Sequence, residues 1–530
     1  MSSTSVTLAA EAPVTTPVVV RSERTRVFGA SLAIFLFTFL VYYLTGPVNT
    51  PYDFQLSQAN NIIHGHLDMT EEYTHNLIIL ERVLYDGKGF CLPINDPRGP
   101  EIDALIPNAR FSADCKHYMQ HSLGPAFLLI PLVLVFGMTV SQALVSALIG
   151  AAGAVVVFAI TRHFSSQLRT QIALTVFAVF GTQIWFSAAD GSVWHFALAT
   201  AVFFVFSGIY FTLVRRNPLL AGAMFGAAFM CRPSTILGGM FAIVAFSDMW
   251  LPAATEAGRN ILRRIRLRPL VALAVGVLPF ILLNSAVNYL RFGSPFESGY
   301  SYGEQVYQDN LTWVYVHGLF SPQYWSRHVA IVFEQMPIFS HNAPYIWPSW
   351  AGQAMWAVSP ALLLGLFVHL RKWVWPARLA AFAIALSGAV LLIGAASAQL
   401  GMSRWTPADV PLGLHLWPFW IVIGLAIVLS ITNRDRIAVA CWAAIVPIVL
   451  FNWMFAATGW AQFGYRYGLD FLPFLFLLAV LMVTRGTRLT RYQLVLIGVS
   501  VLINLWGVLW IIKFANWPGG ALNGWTWVSY

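Results

Sequence analysis

Residues 27–68 read VFGASLAIFLFTFLVYYLTGPVNTPYDFQLSQANNIIHGHLD, an uncharged apolar run ending at Thr45 and then an abrupt polar stretch. A run of about 20 apolar residues is what a helix needs to cross a bilayer core. Beyond it Asp53, His64, His66 and Asp68 follow in quick succession, and no second convincing apolar run begins before about residue 140. The intervening segment carries Cys91 and Cys115 and closes with CKHYMQHSLGPAFLLIPLVLVFG. Ionisable groups gather here, so this is where chemistry is expected.

The composition agrees with that reading. The chain of 530 residues is 58% hydrophobic and only 10% charged, with 21 Trp and 39 Phe, and its mean hydropathy is +0.68. Soluble domains are about a quarter charged. An all-α polytopic membrane protein is expected, because lipid offers backbone groups no partner outside a helix or a closed barrel.

Basic residues set the topology. With Arg21, Arg24 and Arg26 placed in the cytoplasm and each apolar run alternating sides, the later clusters also fall inside, as the positive-inside rule requires. These are Arg162 with Arg169, Arg215 with Arg216, Arg259 to Arg268, Arg371 with Lys372 and Arg378, Arg434 with Arg436, and Arg485 to Arg491. Most acids fall on the other side. This threading gives about 13 spans, near 27–45, 140–161, 170–188, 195–214, 218–231, 234–250, 269–289, 352–370, 379–398, 413–431, 437–456, 470–484 and 493–514. Leu123 to Gly137 would reverse every later loop if counted, so it is read as a juxtamembrane or re-entrant helix. Residues 1–26 form a cytoplasmic tail, 27–514 a single membrane domain with outer loops 46–122 and 290–350, and 515–530 an outer tail.

The net charge of +9 does not signal nucleic acid, since the basic residues sit in short turns where anionic lipid is the expected contact. The first apolar run is too long for a cleavable signal and no small-residue cleavage site follows, so it stays as an anchor. Cys91 and Cys115 share the first outer loop, where an oxidising exterior allows a disulfide. Two unpaired thiols are the alternative. No CxxC, HExxH or comparable metal spacing occurs, and HGH followed by Asp68 is a weak one. No metal and no cofactor is expected.

Five stretches taken in order resemble the C-type glycosyltransferase superfamily (GT-C), which includes protein O-mannosyltransferases and aminoarabinose transferases: PYDFQLSQANNIIHGHLD, KHYMQHSLGPAFLLIPLVLVFG, LLAGAMFGAAFMCRPS, NYLRFGSPFESGY and FGYRYGLDFLP. The resemblance implies transfer of a sugar from a polyprenyl-phosphate donor to a lipid, glycan or protein acceptor on the extracytoplasmic side, in a bacterial inner or plasma membrane.

Such transfer needs a carboxylate to take the acceptor proton and cations to stabilise the departing phosphate. Asp53, just outside the first span, is the expected base. The run DFQLSQANNII reads as a helix lying along the bilayer on Phe54, Ala59, Ile62 and Ile63, and Asp53 also suits the N-cap of that helix. For phosphate the candidates are Arg466, Lys116 and Arg232. Their alternatives are a helical ion pair of Arg466 with Asp470, a solvated loop position for Lys116, and snorkelling of Arg232. His64, His66, His117 and Tyr118 are substrate-binding candidates in the same loop. Asp190 and His195 in SAADGSVWHF line the cavity or cap the next span. The aromatic residues of the second loop, from Tyr300 to Trp325, suit an interfacial belt. The competing functions are a transporter or lipid flippase, which would place charge near mid-membrane, and an O-antigen polymerase or ligase.

Overall fold

The computed structural model describes residues 17–74, 82–88, 91–93, 111–247, 266–301, 316–342, 345–349, 351–402, 416–459, 462–486 and 489–513. The expected tail 515–530, the first-loop carboxylate Asp103, Arg259, Arg263 and Arg264, the loop aromatics Tyr302, Tyr307, Trp313 and Tyr315, and the run Asn310-Leu311-Thr312, which fits the N-glycosylation pattern, lie outside the described residues.

The chain is mostly helical. In order come α1 (Pro17–Thr45), α2 (Phe54–Ile63), short strands β1 (Arg82–Tyr85), β2 (Leu92–Pro93), β3 (Phe111–Ser112) and β4 (Lys116–Met119), and α3 (Gly124–Phe136). The bundle continues with α4 (Gln142–Phe164), α5 (Leu168–Phe180), α6 (Ile184–Asp190), α7 (Val193–Leu213), α8 (Pro218–Cys231), α9 (Gly239–Phe246) and α10 (Leu267–Phe292). Then follow α11 (Trp325–Val329), β5 (Ile338–Phe339), β6 (Ile346–Trp347), α12 (Met355–Val358), α13 (Val374–Gln399), α14 (Trp417–Thr432), α15 (Arg436–Trp453), α16 (Leu472–Thr484) and α17 (Arg491–Val508).

Among the described residues seven helices are long and apolar enough to cross a membrane: α1, α4, α7, α10, α13, α15 and α17 with its extension to Lys513. The pair α5 and α6 is together long and apolar enough but is bent by 56° at the break between them, as in a broken span or a re-entrant loop. Four further expected spans are shorter apolar helices, and 352–370 is not a continuous α-helix. There Pro360 opens a 3-10 run, Pro360–Phe367, after a single α-turn. A proline bars the preceding residue from helical geometry and removes a backbone donor. The same restriction ends α8: Arg232, before Pro233, is extended at φ −148° and ψ 108°. At the other terminus α1 begins at Pro17, so Arg21, Arg24 and Arg26 belong to the helix rather than to a free tail.

The bundle has two polar poles. Helix α15, about 27 Å long at 1.5 Å per residue, starts beside Asp435, which pairs with Arg485 and with His369 at 3.2 Å. At its other end Asn452 donates to Asp470 at 3.0 Å. Helix α16 runs back from Leu472 to Thr484, beside Arg485, so polar contacts join α15 and α16 at both ends. Between the poles the packing is aromatic, as in Phe206 on Phe476 and Phe241 on Phe474. Helices α8 and α10 meet backbone to backbone. A Cβ on Gly222 would lie 2.1 Å from the Leu273 carbonyl, and one on Gly276 2.1 Å from that of Leu219. Small residues allow this approach between apolar helices.

Candidate functional site

Residues 119–124 form the hub of the Asp470 pole. Gly124, the first residue of α3, lies so close to α8 that a Cβ there would sit 2.4 Å from the Met230 carbonyl. The Ser122 carbonyl accepts from the Gln55 amide at 3.1 Å, and Met119 and Leu123 pack with Phe54 and Val193. This stretch therefore touches α2, which follows Asp53, and α8, which precedes Arg232.

Asp53 stands at the N-cap of α2, half-buried. Its carbonyl accepts from the Leu56 and Ser57 N–H groups at 2.9 and 3.1 Å, but its side chain makes no capping bond. The carboxylate is thus not consumed by the helix start, the simplest use an aspartate has there. Helix α2 differs from the expected interfacial helix. Phe54 through Asn61 are all buried, polar and apolar faces alike. The polar face can be buried because loop groups meet it: Gln58 donates to the Leu67 carbonyl, and Asn61 bonds Thr70, Tyr73 and Thr74. Tyr52 packs on Trp194 at 5.1 Å, and His121 meets the same indole at 6.1 Å.

The second group centres on Asp470, whose carboxylate is 1% exposed. Arg232 grips it with Nε on Oδ1 at 3.2 Å and a terminal nitrogen on Oδ2 at 2.9 Å. The Ser234 hydroxyl at 2.7 Å and the Asn452 amide at 3.0 Å complete it. Arg232 is thus an ion-paired residue rather than a snorkelling one. The ion pair of Arg466 with Asp470, the alternative to a phosphate contact, does not form. The turn Arg466–Asp470 is a 3-10 helix, in which residues three apart align and those four apart diverge. Arg466 instead lies over the Tyr467 ring at 5.4 Å, and Arg232 lies near the same ring at 5.0 Å. The Arg466 N–H donates to Gln462 Oε1 at 2.9 Å.

Beneath this turn His328 is fully buried between the Phe455 carbonyl and the Tyr465 hydroxyl, each at 2.8 Å. A carbonyl only accepts, so Nε2 carries the proton and Nδ1 accepts from Tyr465. Burial pushes the His328 imidazole down to about 4, so it is neutral.

The other candidates have local partners. Asp190 Oδ2 accepts from the Ser192 N–H at 3.1 Å and from its hydroxyl, holding the turn into α7. His195 Nδ1 meets the Ser187 hydroxyl at 3.1 Å inside the bundle. His64 bonds the Asn60 carbonyl at 2.8 Å and stacks on Tyr73 at 4.1 Å, and His66 faces Asp68 at 3.7 Å. Lys116, His117 and Tyr118 lie on β4, antiparallel to β1. Lys116 is exposed, the His117 carbonyl accepts from Met69, and Tyr118 is buried with its phenol raised by that burial and by Asp68. Cys91 and Cys115 are joined in a disulfide beside β4. Among the described residues no three His, Cys, Asp or Glu side chains converge on a metal position.

The sequence reading passed over Asp470 as the partner of Arg232, and over Ser234, Asn452, His328 and Arg291. Arg291 offered one signal: it is the only charge in the last turn of an apolar helix, with Phe292 beside it. No family model, no curated protein and no solved structure matches the chain.

Proposed function

We propose that this chain is a polytopic membrane glycosyltransferase of the C type, moving a sugar from a polyprenyl-phosphate donor to an acceptor hydroxyl at the extracytoplasmic surface. The count of thirteen crossings belongs to the same proposal, with α5 and α6, the short helices and the 3-10 run completing it. One observation carries the reading. The 119–124 stretch links the helix opened by Asp53 to the end of α8, beside Arg232 and the Tyr467 ring that Arg466 shares. That pole caps a bundle whose described membrane-length helices carry their ionisable residues at their ends. A transporter would place such groups near mid-membrane.

In this mechanism the acceptor oxygen attacks the anomeric carbon while Asp53 takes its proton. The bond from that carbon to the phosphate oxygen breaks, and polyprenyl phosphate departs with the electron pair. Arg466 stabilises the leaving phosphate. Arg232, already neutralised by Asp470, positions the turn that carries Arg466. Lys116 lies about 10 Å along β4 from Met119 and serves as a peripheral cation for the headgroup.

The experiment presents the purified protein, in lipid nanodiscs, with a panel of radiolabelled polyprenyl-phosphate sugars. Transfer or hydrolysis of one member is expected, with Arg466→Ala weakening that donor by ~1.5 to 3 kcal/mol. Inertness toward every donor, or unchanged donor affinity in the variant, would count against the reading.

A further inference from the structure

Arg291 closes α10 and is 4% exposed. One terminal nitrogen donates to the Met119 carbonyl. The guanidinium lies 5.4 Å from the Tyr118 ring centre and 4.6 Å from that of Phe292. Its Nε is buried without an acceptor, and no carboxylate pairs with it among the described residues. The same chain matches Arg232 to Asp470 and Arg485 to Asp435, so the omission at Arg291 stands out. Two aromatic faces and one carbonyl offset only part of the cost of taking a guanidinium out of water. What it lacks is a negative oxygen.

We propose that Arg291 is an anion-binding residue, taking a phosphate or carboxylate group at the Met119 edge of the 119–124 stretch. The Gln55 side chain adds a second unsatisfied polar group on the same stretch: it is fully buried, its amide nitrogen holds the Ser122 carbonyl, three residues on from Met119, and its Oε1 is left with no donor. The site is separate from the Arg232 and Arg466 pair, which reaches the hub at Gly124. The bound group is the phosphate of a prenyl carrier or an acidic group on a soluble substrate.

Native mass spectrometry of the full chain in nanodiscs separates these. The probes are farnesyl phosphate, farnesol and glucose 1-phosphate, and no sugar donor is present, so the result stands apart from whether the chain transfers sugar. The wild type is expected to bind at least one phosphate probe about tenfold or more above neutral farnesol, the scale of a charge-assisted contact. Arg291→Gln should erase that preference. Arg291→Lys keeps the charge and its ring contacts but not the fork, and should lose about tenfold. Preference for farnesyl phosphate alone assigns the carrier, and binding of glucose 1-phosphate assigns a soluble anion. Either a wild type indifferent to phosphate, or a preference unchanged in Arg291→Gln, overturns the proposal. If Arg291→Gln fails to fold, unchanged affinity in Arg291→Lys does so, leaving Arg291 as a cation–π clamp on the loop.

Discussion

Replacing Asp470 by Asn tests the polar centre that joins three helices at one pole. The substitution keeps the shape and removes the charge, leaving the Arg232 guanidinium, 21% exposed, opposite a neutral amide. Asp470 Oδ2 accepts from Arg232, Ser234 and Asn452. In Asn one terminal atom becomes a donor, so at least one of the groups it faces loses its acceptor, at about 1 to 3 kcal/mol. Breaking a buried ion pair by removing one partner costs about 3 to 5 kcal/mol. The partial exposure of Arg232 places the total near the lower end, about 3 kcal/mol. The assay is reversible unfolding by SDS in mixed micelles, followed by far-UV circular dichroism. Arg232→Met should cost a similar amount. The double variant Arg232→Met, Asp470→Leu should cost less than either single change, because neither charge is then left alone. Single losses below about 1 kcal/mol, or additive losses in the double variant, would refute the account of this centre.

Three further outcomes are expected. Reducing the Cys91 to Cys115 bond, with a sequence separation of 24, should loosen the first loop by about 3 to 4 kcal/mol, read as faster proteolysis within 46–122; equal rates would remove its stabilising role. The His328 imidazole lies at about 4 against an ordinary 6.5, so the unfolded chain binds the proton more readily. Its contribution, about 3 kcal/mol, should be complete above about pH 6.5 and fall away toward pH 4, and His328→Leu should flatten that slope. Gly124→Ala forces a methyl against the Met230 backbone and should cost about 1 to 3 kcal/mol; a neutral effect would mean that α3 and α8 can part.

The sequence showed the first span and the helix at Phe54, because a charge-free apolar run and an Asp before an apolar-periodic segment are local signals. It could not show that α2 is buried on all sides, since the carbonyls that accept from the Gln55 and Gln58 amides, Ser122 and Leu67, are brought to it by the folding of the loop. The i, i+4 pairing of Arg466 with Asp470 assumed an α-helix where a 3-10 turn forms, and the true partner, Arg232, lies more than two hundred residues away in the chain. The expected span 352–370 runs through Pro360, which breaks an apolar run whose hydropathy stays high. Hydropathy reports the solvent, whereas the break follows from backbone sterics.

The most direct test of the proposed chemistry compares wild type and Asp53→Asn for sugar transfer from the donor that the panel identifies, with the inserted, folded fraction matched by size-exclusion chromatography. A carboxylate serving as general base predicts a loss of at least about a hundredfold in turnover at unchanged donor affinity. Turnover equal to wild type in Asp53→Asn would contradict it.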